Sequence, residues 1–260
     1  MKLAVVQTNP VFGDVKLNVK TALSMMESVD AGFYILPELF NTGYSFIDTG
    51  ELSVLAETAG GYTVTAITAF AAKKSCYVVL GFAEKGDKMY NSAALIGPGG
   101  IAGIYRKTHL FYREKLVFSP GDSGFRVFDL PVGRIGIMIC FDWIFPEAAR
   151  SLALSGAQLI AHPSNLILPH CPDAMVTRCL ENRVFAATAN RVGSENRDVS
   201  DLRFIGKSQI VTPKGEILRR MSSDQPGLAT AEIDLSQADN KSATELNHLF
   251  ADRRSDLYNL

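Results

Sequence analysis

The stretch Arg134-Ile-Gly-Ile-Met-Ile-Cys-Phe-Asp-Trp-Ile-Phe-Pro-Glu147 constrains this chain more than any other. Ile135 to Cys140 is a short, nearly unbroken apolar run with Gly133 and Gly136 close by, the pattern of a strand buried on both faces. The run stops at Cys140. Asp142, Pro146 and Glu147 then open a helix that Ala148, Ala149, Leu152 and Leu154 continue and Gly156 closes, with Pro146 suited to its first turn. A cysteine at such a junction lies near helix-start amides, which favour a thiolate and hold an oxyanion. The competing reading is a packed thiol, because free cysteine is among the most buried residue types.

The other strands and helices fit around this one. Leu3 to Val6 reads as a first strand, and Asp14 starts a helix whose apolar face carries Val19, Ala22, Leu23 and Met26. Gly32 to Leu39 is a second buried strand running into Glu38, Thr63 to Ser75 a helix, and Tyr77 to Ala83 a strand. Tyr90–Ile96 and Ile101–Tyr105 flank Gly97-Pro98-Gly99-Gly100 as a hairpin; that glycine cluster lacks the Lys-Ser/Thr of a phosphate loop. After the Cys140 helix come a strand at Gln158–His162, a helix from Asp173 to about Arg183, and a strand at Val184–Asn190. A second hairpin spans Ser208 to Leu218, and a last strand at Leu228–Ile233 leads into a polar tail ending at Leu260. Strands alternate with helices early and pair through turns later, so the reading is one domain over 1–260 with mixed sheets and helices outside.

At 260 residues the chain can bury a sizeable core. Its 26 Lys plus Arg nearly cancel its 27 Asp plus Glu, which leaves no electrostatic footprint for nucleic acid or an anionic membrane. No apolar run approaches the length of a bilayer span, and the opening Lys2–Gln7 is strand-like rather than a signal peptide. The four cysteines form no CxxC pair, which points to free thiols in a reducing cytoplasm. Cys171 and Cys179 with His162 and His170 match no common zinc spacing, so no metal is expected.

Two further residues stand at strand ends. Glu38 closes Phe33-Tyr-Ile-Leu-Pro, where a partly buried carboxylate is placed to work as a base; satisfaction by backbone donors or an arginine is the plainer reading. Lys107 follows Gly103-Ile-Tyr-Arg, and taken alone is a surface lysine. If the strands before Glu38, Lys107 and Cys140 are neighbours, their ends converge where sheet proteins commonly place ligands. Glu114 lies near enough to Lys107 to join them.

With these residues in view, the sequence resembles the nitrilase superfamily of carbon–nitrogen hydrolases along essentially its whole length, most closely the short prokaryotic and archaeal nitrilase-like members. Three blocks carry the resemblance: Leu36-Pro-Glu-Leu39, Tyr105-Arg-Lys-Thr-His-Leu110, and Gly136-Ile-Met-Ile-Cys-Phe-Asp142 with Pro146-Glu147. Phe118-Ser-Pro-Gly-Asp122, His162-Pro-Ser-Asn165 and Leu180-Glu-Asn-Arg183 support it. The resemblance implies an α/β fold, a four-layer α-β-β-α sandwich, and a Glu38–Lys107–Cys140 triad, with Glu114 matching a second glutamate.

It also implies hydrolysis of a small amide through a cysteine thioester. A small nitrile or dinitrile and an N-carbamoyl compound are the alternative substrates, and a non-catalytic interaction protein on the same scaffold is a distant one. The Phe141 N–H is the natural second oxyanion donor. Tyr44, Tyr112, Trp143, Asn165 and Leu166 are candidates for the pocket wall, and Arg113 or Arg178 for holding a substrate carboxylate. A papain-like pairing of Cys140 with His109 or His162 lacks its sequence context, and His109 reads as a structural hydrogen-bonding residue. No cofactor is required by such chemistry. The family's habit implies a homodimer or larger assembly, with the helix after Cys140 and the tail from about residue 236 as candidate contacts.

Overall fold

The structure, a computed structural model, describes residues 1–198 and 200–258; Leu260, the end of the expected tail, lies outside the described residues. In chain order the first half comprises β1 (Lys2–Gln7), α1 (Val15–Glu27), β2 (Phe33–Ile35), α2 (Thr49–Leu55), α3 (Tyr62–Lys74), β3 (Tyr77–Lys85), β4 (Met89–Gly97), β5 (Gly100–Arg106) and the single turn α4 (Glu114–Val117). The second half comprises β6 (Val127–Leu130), β7 (Gly133–Ile137), α5 (Pro146–Leu154), β8 (Leu159–Pro163), α6 (Cys171–Asn182), β9 (Phe185–Ala189), β10 (Ser194–Arg197), β11 (Ser200–Arg203), β12 (Gln209–Val211), β13 (Ile217–Arg220) and β14 (Gly227–Glu232). Two six-stranded sheets result, ordered β14-β1-β2-β3-β4-β5 and β13-β12-β9-β8-β7-β6, with β10 and β11 forming a separate hairpin. The strands at the centre of each sheet pair in parallel, and the outer ones antiparallel.

Alternation along the strands explains the layers. Leu3, Val5, Phe33, Ile35 and Val79 face the second sheet, while Ala4, Val6, Tyr34, Val78 and Leu80 face α1 and α3. Both faces are therefore buried, which is why these strands read as unbroken apolar runs. On the far side, Ala148, Leu152, Met175 and Cys179 of α5 and α6 cover the second sheet. The α-β-β-α order expected from the resemblance is the one observed.

Helix α1 begins where Asp14 accepts a hydrogen bond from the Leu17 N–H (3.1 Å), and it buries Val19, Ala22 and Met26, with Leu23 only half-buried. Burial of a Val or Met side chain contributes roughly 1.5–3 kcal/mol each.

Several boundaries differ from the sequence expectation. β2 stops at Ile35, four residues short, because Pro37 has no N–H for a ladder and the chain then turns. Cys140 does not run directly into the α-helix: a 3-10 helix over Cys140–Ile144 intervenes, and α5 starts at Pro146. Helix α2, strand β6 and the β10–β11 hairpin have no counterpart in the sequence reading. The tail from about residue 236 folds back on its own chain, where Lys241 Nζ donates to the carbonyls of Asn182 and Arg183 at the end of α6.

Candidate active site

Cys140 sits at the mouth of the second sheet with φ +42°, a left-handed conformation unusual for a side chain of this size. Such backbone costs about 1–3 kcal/mol and persists only where neighbours over-determine it. Two residues do so here. His162 Nε2 donates to the Cys140 carbonyl (2.9 Å), so Nδ1 is left to accept from the Thr188 hydroxyl (3.1 Å). Burial pushes the His162 imidazole down to about 4, which keeps it neutral and fixes that tautomer.

Asp142 is the second fastening. Its Oδ2 accepts from the Ile139 N–H (2.9 Å) and the Tyr105 hydroxyl (2.7 Å), while its Oδ1 accepts from the backbone (3.1 Å) and ring Nδ1 (2.8 Å) of His109. One buried carboxylate thus joins the end of β5 and the loop beyond it to the cysteine turn. His109 also stacks on Phe145 with ring centroids 3.7 Å apart. Both histidines are structural, and the papain-like alternative has no imidazole to use.

Glu38, Lys107 and Glu114 meet in a second cluster, all buried. Lys107 Nζ donates to Glu38 Oε1 and Glu114 Oε1, each at 2.7 Å. Asn91 Nδ2 donates to the same Glu38 Oε1 (2.7 Å), while Oε2 is buried without a partner among the described residues. Glu114 Oε1 also receives the Tyr44 hydroxyl (2.5 Å), and Oε2 the Phe111 N–H (3.2 Å). An ammonium has three donors; two are committed to carboxylates, leaving one.

Burial pushes the Glu114 carboxyl up, the Lys107 ammonium pulls it back, and the Glu38 charge pushes it up again, to about 7. Burial alone would lower the Lys107 ammonium, but the two carboxylates outweigh it and hold it up. Close approach of backbones makes the cluster possible. A Cβ on Gly81 of β3 would stand 2.5 Å from Glu38 Cα, and one on Gly121 would stand 2.0 Å from the Arg106 carbonyl oxygen, beside the bond from the Gly121 N–H to the Lys107 carbonyl (2.8 Å).

Asn165 bridges the two assemblies. Its Nδ2 donates to the Glu38 carbonyl (2.9 Å), and it lines the same pocket as Cys140. The thiol is pushed well up, first by burial and then by the Glu38 charge, with Lys107 opposing. This reverses the sequence expectation that helix-start amides favour a thiolate. The resting group is a thiol, and a base must remove its proton during the reaction.

A narrow pocket opens at the sulfur, walled by Phe111, Phe141, Trp143, Asn165, Leu166 and Leu168. The Phe141 N–H, in the first turn of the 3-10 helix, has no intrahelical acceptor. Of the expected wall residues, Trp143, Asn165 and Leu166 are there; Tyr44 and Tyr112 instead line a neighbouring pocket, and Tyr112 is 65% exposed. Arg178 donates to the Trp143 carbonyl and pairs with Glu181, which makes it structural. Asn91 and the roles of Asp142 and His162 escaped sequence reasoning. The one available signal was a polar side chain inside an otherwise apolar run, as at Asn91. Among the described residues no cluster of His, Cys, Asp and Glu is arranged to hold a metal, and no helix is long and apolar enough to cross a membrane.

A strained, buried cysteine coupled electrostatically to a buried carboxylate and ammonium is an arrangement suited to a thiol-dependent hydrolase. Comparison with known proteins agrees: the carbon–nitrogen hydrolase family model matches residues 2–241, and the chain belongs to that family. It is 48% identical to a protein of Pyrococcus abyssi named nitrilase, over 99% of both chains. It is 35% identical to an (R)-stereoselective amidase of a Pseudomonas species, over 91% of this chain and 86% of the other. The crystal structure of a carbon–nitrogen hydrolase from Helicobacter pylori superimposes with a TM-score of 0.89 at 27% identity, covering 100% of this chain and 97% of that one.

Proposed function

We propose that this hydrolase cleaves the C–N bond of a small amide through a thioester on Cys140. The observation that carries the reading is the unpartnered Glu38 Oε2 beside a bound Oε1. An amide brings N–H donors to that oxygen and a nitrile brings none, so an amide better relieves a buried acceptor. Glu38 takes the thiol proton as sulfur bonds to the carbonyl carbon. The remaining Lys107 donor and the Phe141 N–H receive the charge on the oxygen. As the C–N bond breaks, Glu38 returns its proton to the leaving nitrogen, and ammonia departs. Glu38 then takes a proton from water as the hydroxide attacks the thioester, and gives it back to sulfur as the acid leaves. Glu114 holds Lys107 in place through this cycle.

Mass spectrometry of protein quenched during turnover tests the reading: the peptide containing Cys140 gains the mass of the acyl group. Acyl transfer to any other residue, or turnover by Cys140→Ala, rules it out. A nitrile is the second reading, favoured by the name of the Pyrococcus abyssi relative. Rates on matched amide, nitrile and N-carbamoyl compounds separate the three. The same proposal takes the protein as a cytoplasmic homo-oligomer. Leu154 and Leu180 stand exposed on α5 and α6 and support a contact between copies; light scattering of the purified protein measures it.

A further inference from the structure

A second buried ion pair, Arg191–Glu195, stands apart from the reacting cluster, and the chemistry above makes no use of it. Arg191 follows the end of β9, and Glu195 belongs to β10, in the hairpin that lies outside both sheets. The guanidinium donates to Glu195 Oε1 and lies over the Phe204 ring, 4.0 Å from its centroid. Taking two charges out of water costs about as much as their attraction returns, so stability alone is a weak reason for such a pair.

What the pair holds is the loop that carries Tyr44. Glu195 Oε2 accepts from the Ser45 N–H (2.7 Å), and both carboxylate oxygens accept from the Tyr44 N–H (3.1 Å each). The preceding residue, Gly43, has φ +85°, and a Cβ there would stand 2.9 Å from Glu195 Oε1, so glycine lets the loop pass this close. The Tyr44 ring meets Phe204 edge-on with centroids 6.1 Å apart, and Phe204 is the same ring that Arg191 covers. The Tyr44 hydroxyl then donates to Glu114 Oε1 (2.5 Å), the oxygen that also accepts from Lys107. Each hydrogen-bond partner of the Glu195 carboxylate among the described residues is a donor. A carboxylate therefore fits where an amide does not, because either orientation of an amide turns its NH2 against the Arg191 or the Ser45 N–H.

We propose that the Arg191–Glu195 pair is the positioning element for Tyr44, and that through the Tyr44 hydroxyl it sets where Glu114 and the Lys107 ammonium stand. The hairpin thereby acts on the reaction without touching substrate. This rests on the reading above, in which Glu114 holds Lys107 at the developing oxyanion, and it deepens that reading.

A double-mutant cycle on the full-length protein tests it. Steady-state kcat and KM are measured on whichever of the matched amide, nitrile and N-carbamoyl compounds turns over fastest. Tyr44→Phe, which removes only the hydroxyl, is expected to lower kcat about 10- to 100-fold, the value of one hydrogen bond to a charged group. Glu195→Gln is expected to lower kcat about 10-fold with KM little changed, as for a contact felt in the transition state. In the Tyr44→Phe background Glu195→Gln should cost no more than about twofold, because the link it acts through is already gone. Arg197→Gln breaks the hairpin's ion pair with Glu51 and is expected to leave kcat unchanged. An unchanged kcat in Glu195→Gln, its full loss in the Tyr44→Phe background, or an equal loss in Arg197→Gln overturns the inference. If Glu195→Gln does not fold, Glu195→Asp, which keeps the charge with one methylene less of reach, replaces it under the same criteria. Turnover that survives Cys140→Ala strikes the reading above instead.

Discussion

The cysteine turn of the second sheet and the Glu38–Lys107–Glu114 cluster of the first are held in opposite ways. The turn is fixed mainly by hydrogen bonds, many of them to backbone: a left-handed residue, a His162 bond to its carbonyl, and an Asp142 carboxylate with four donors. The cluster is fixed by charges that hold one another, with an ammonium shared between two buried carboxylates. Geometry set by backbone tolerates the loss of the reacting atom. Geometry set by mutual charge does not tolerate the loss of a member, because each removal leaves a buried charge unpaired. The turn therefore positions, and the cluster both positions and moves protons.

The largest test of that contrast is Cys140→Ala, which is expected to lower amide turnover by at least about 10⁴-fold while leaving the melting temperature close to that of the unaltered protein. Marked destabilisation would break the claim that the turn is held without its sulfur. Lys107→Met is expected to reduce kcat by about 10²–10³-fold, the loss of one oxyanion donor. It should also cost about 3–5 kcal/mol of stability by stranding two carboxylates, measured by urea denaturation. Equal stability of the Cys140 and Lys107 variants would erase the distinction. Gly81→Ala should lower kcat by about 10²-fold through displacement of Glu38, measured by steady-state amide turnover, since the added carbon meets the Glu38 backbone and not the turn.

The smallest expected effects are in pH dependence, and they have opposite signs. Glu114 is raised from 4.5 to about 7, so its contribution is present below its unfolded value and is lost as pH climbs toward 7. His162 is lowered from 6.5 to about 4, so its contribution is present above 6.5 and is lost as pH falls toward 4. The melting temperature of Glu114→Gln relative to the unaltered protein should rise with pH across this range, and that of His162→Gln should rise as pH falls. Parallel slopes would contradict the assignment of the two regions.

The sequence exposed the central strands and the three strand-end residues because burial on both faces leaves an unbroken apolar signature, and Glu38, Lys107 and Cys140 interrupt it. It concealed what lies off the core. Helix α2, Thr-Gly-Glu-Leu-Ser-Val-Leu, buries only Leu52 and so shows no periodicity, and the strands Ser194–Arg197 and Ser200–Arg203 are mostly polar because they stand outside both sheets. Asp142 was legible as a helix-opening acid, but its partners Tyr105 and His109 lie more than thirty residues away. Asn91 belongs to a neighbouring strand, and pairing between strands is a tertiary fact. The thiol's upward shift was misread for a similar reason, since local amides are visible in sequence and the extent of burial, the largest cause of the shift, is not.

Strand β1 draws its outer partner, β14, from the far end of the domain, with Lys2 opposite Glu232. At about 5–20 residues per second of synthesis, the first strand made waits roughly ten to fifty seconds for its neighbour. During that interval a row of unpaired amides flanks the apolar run Leu3–Val6, the kind of edge that recruits other chains.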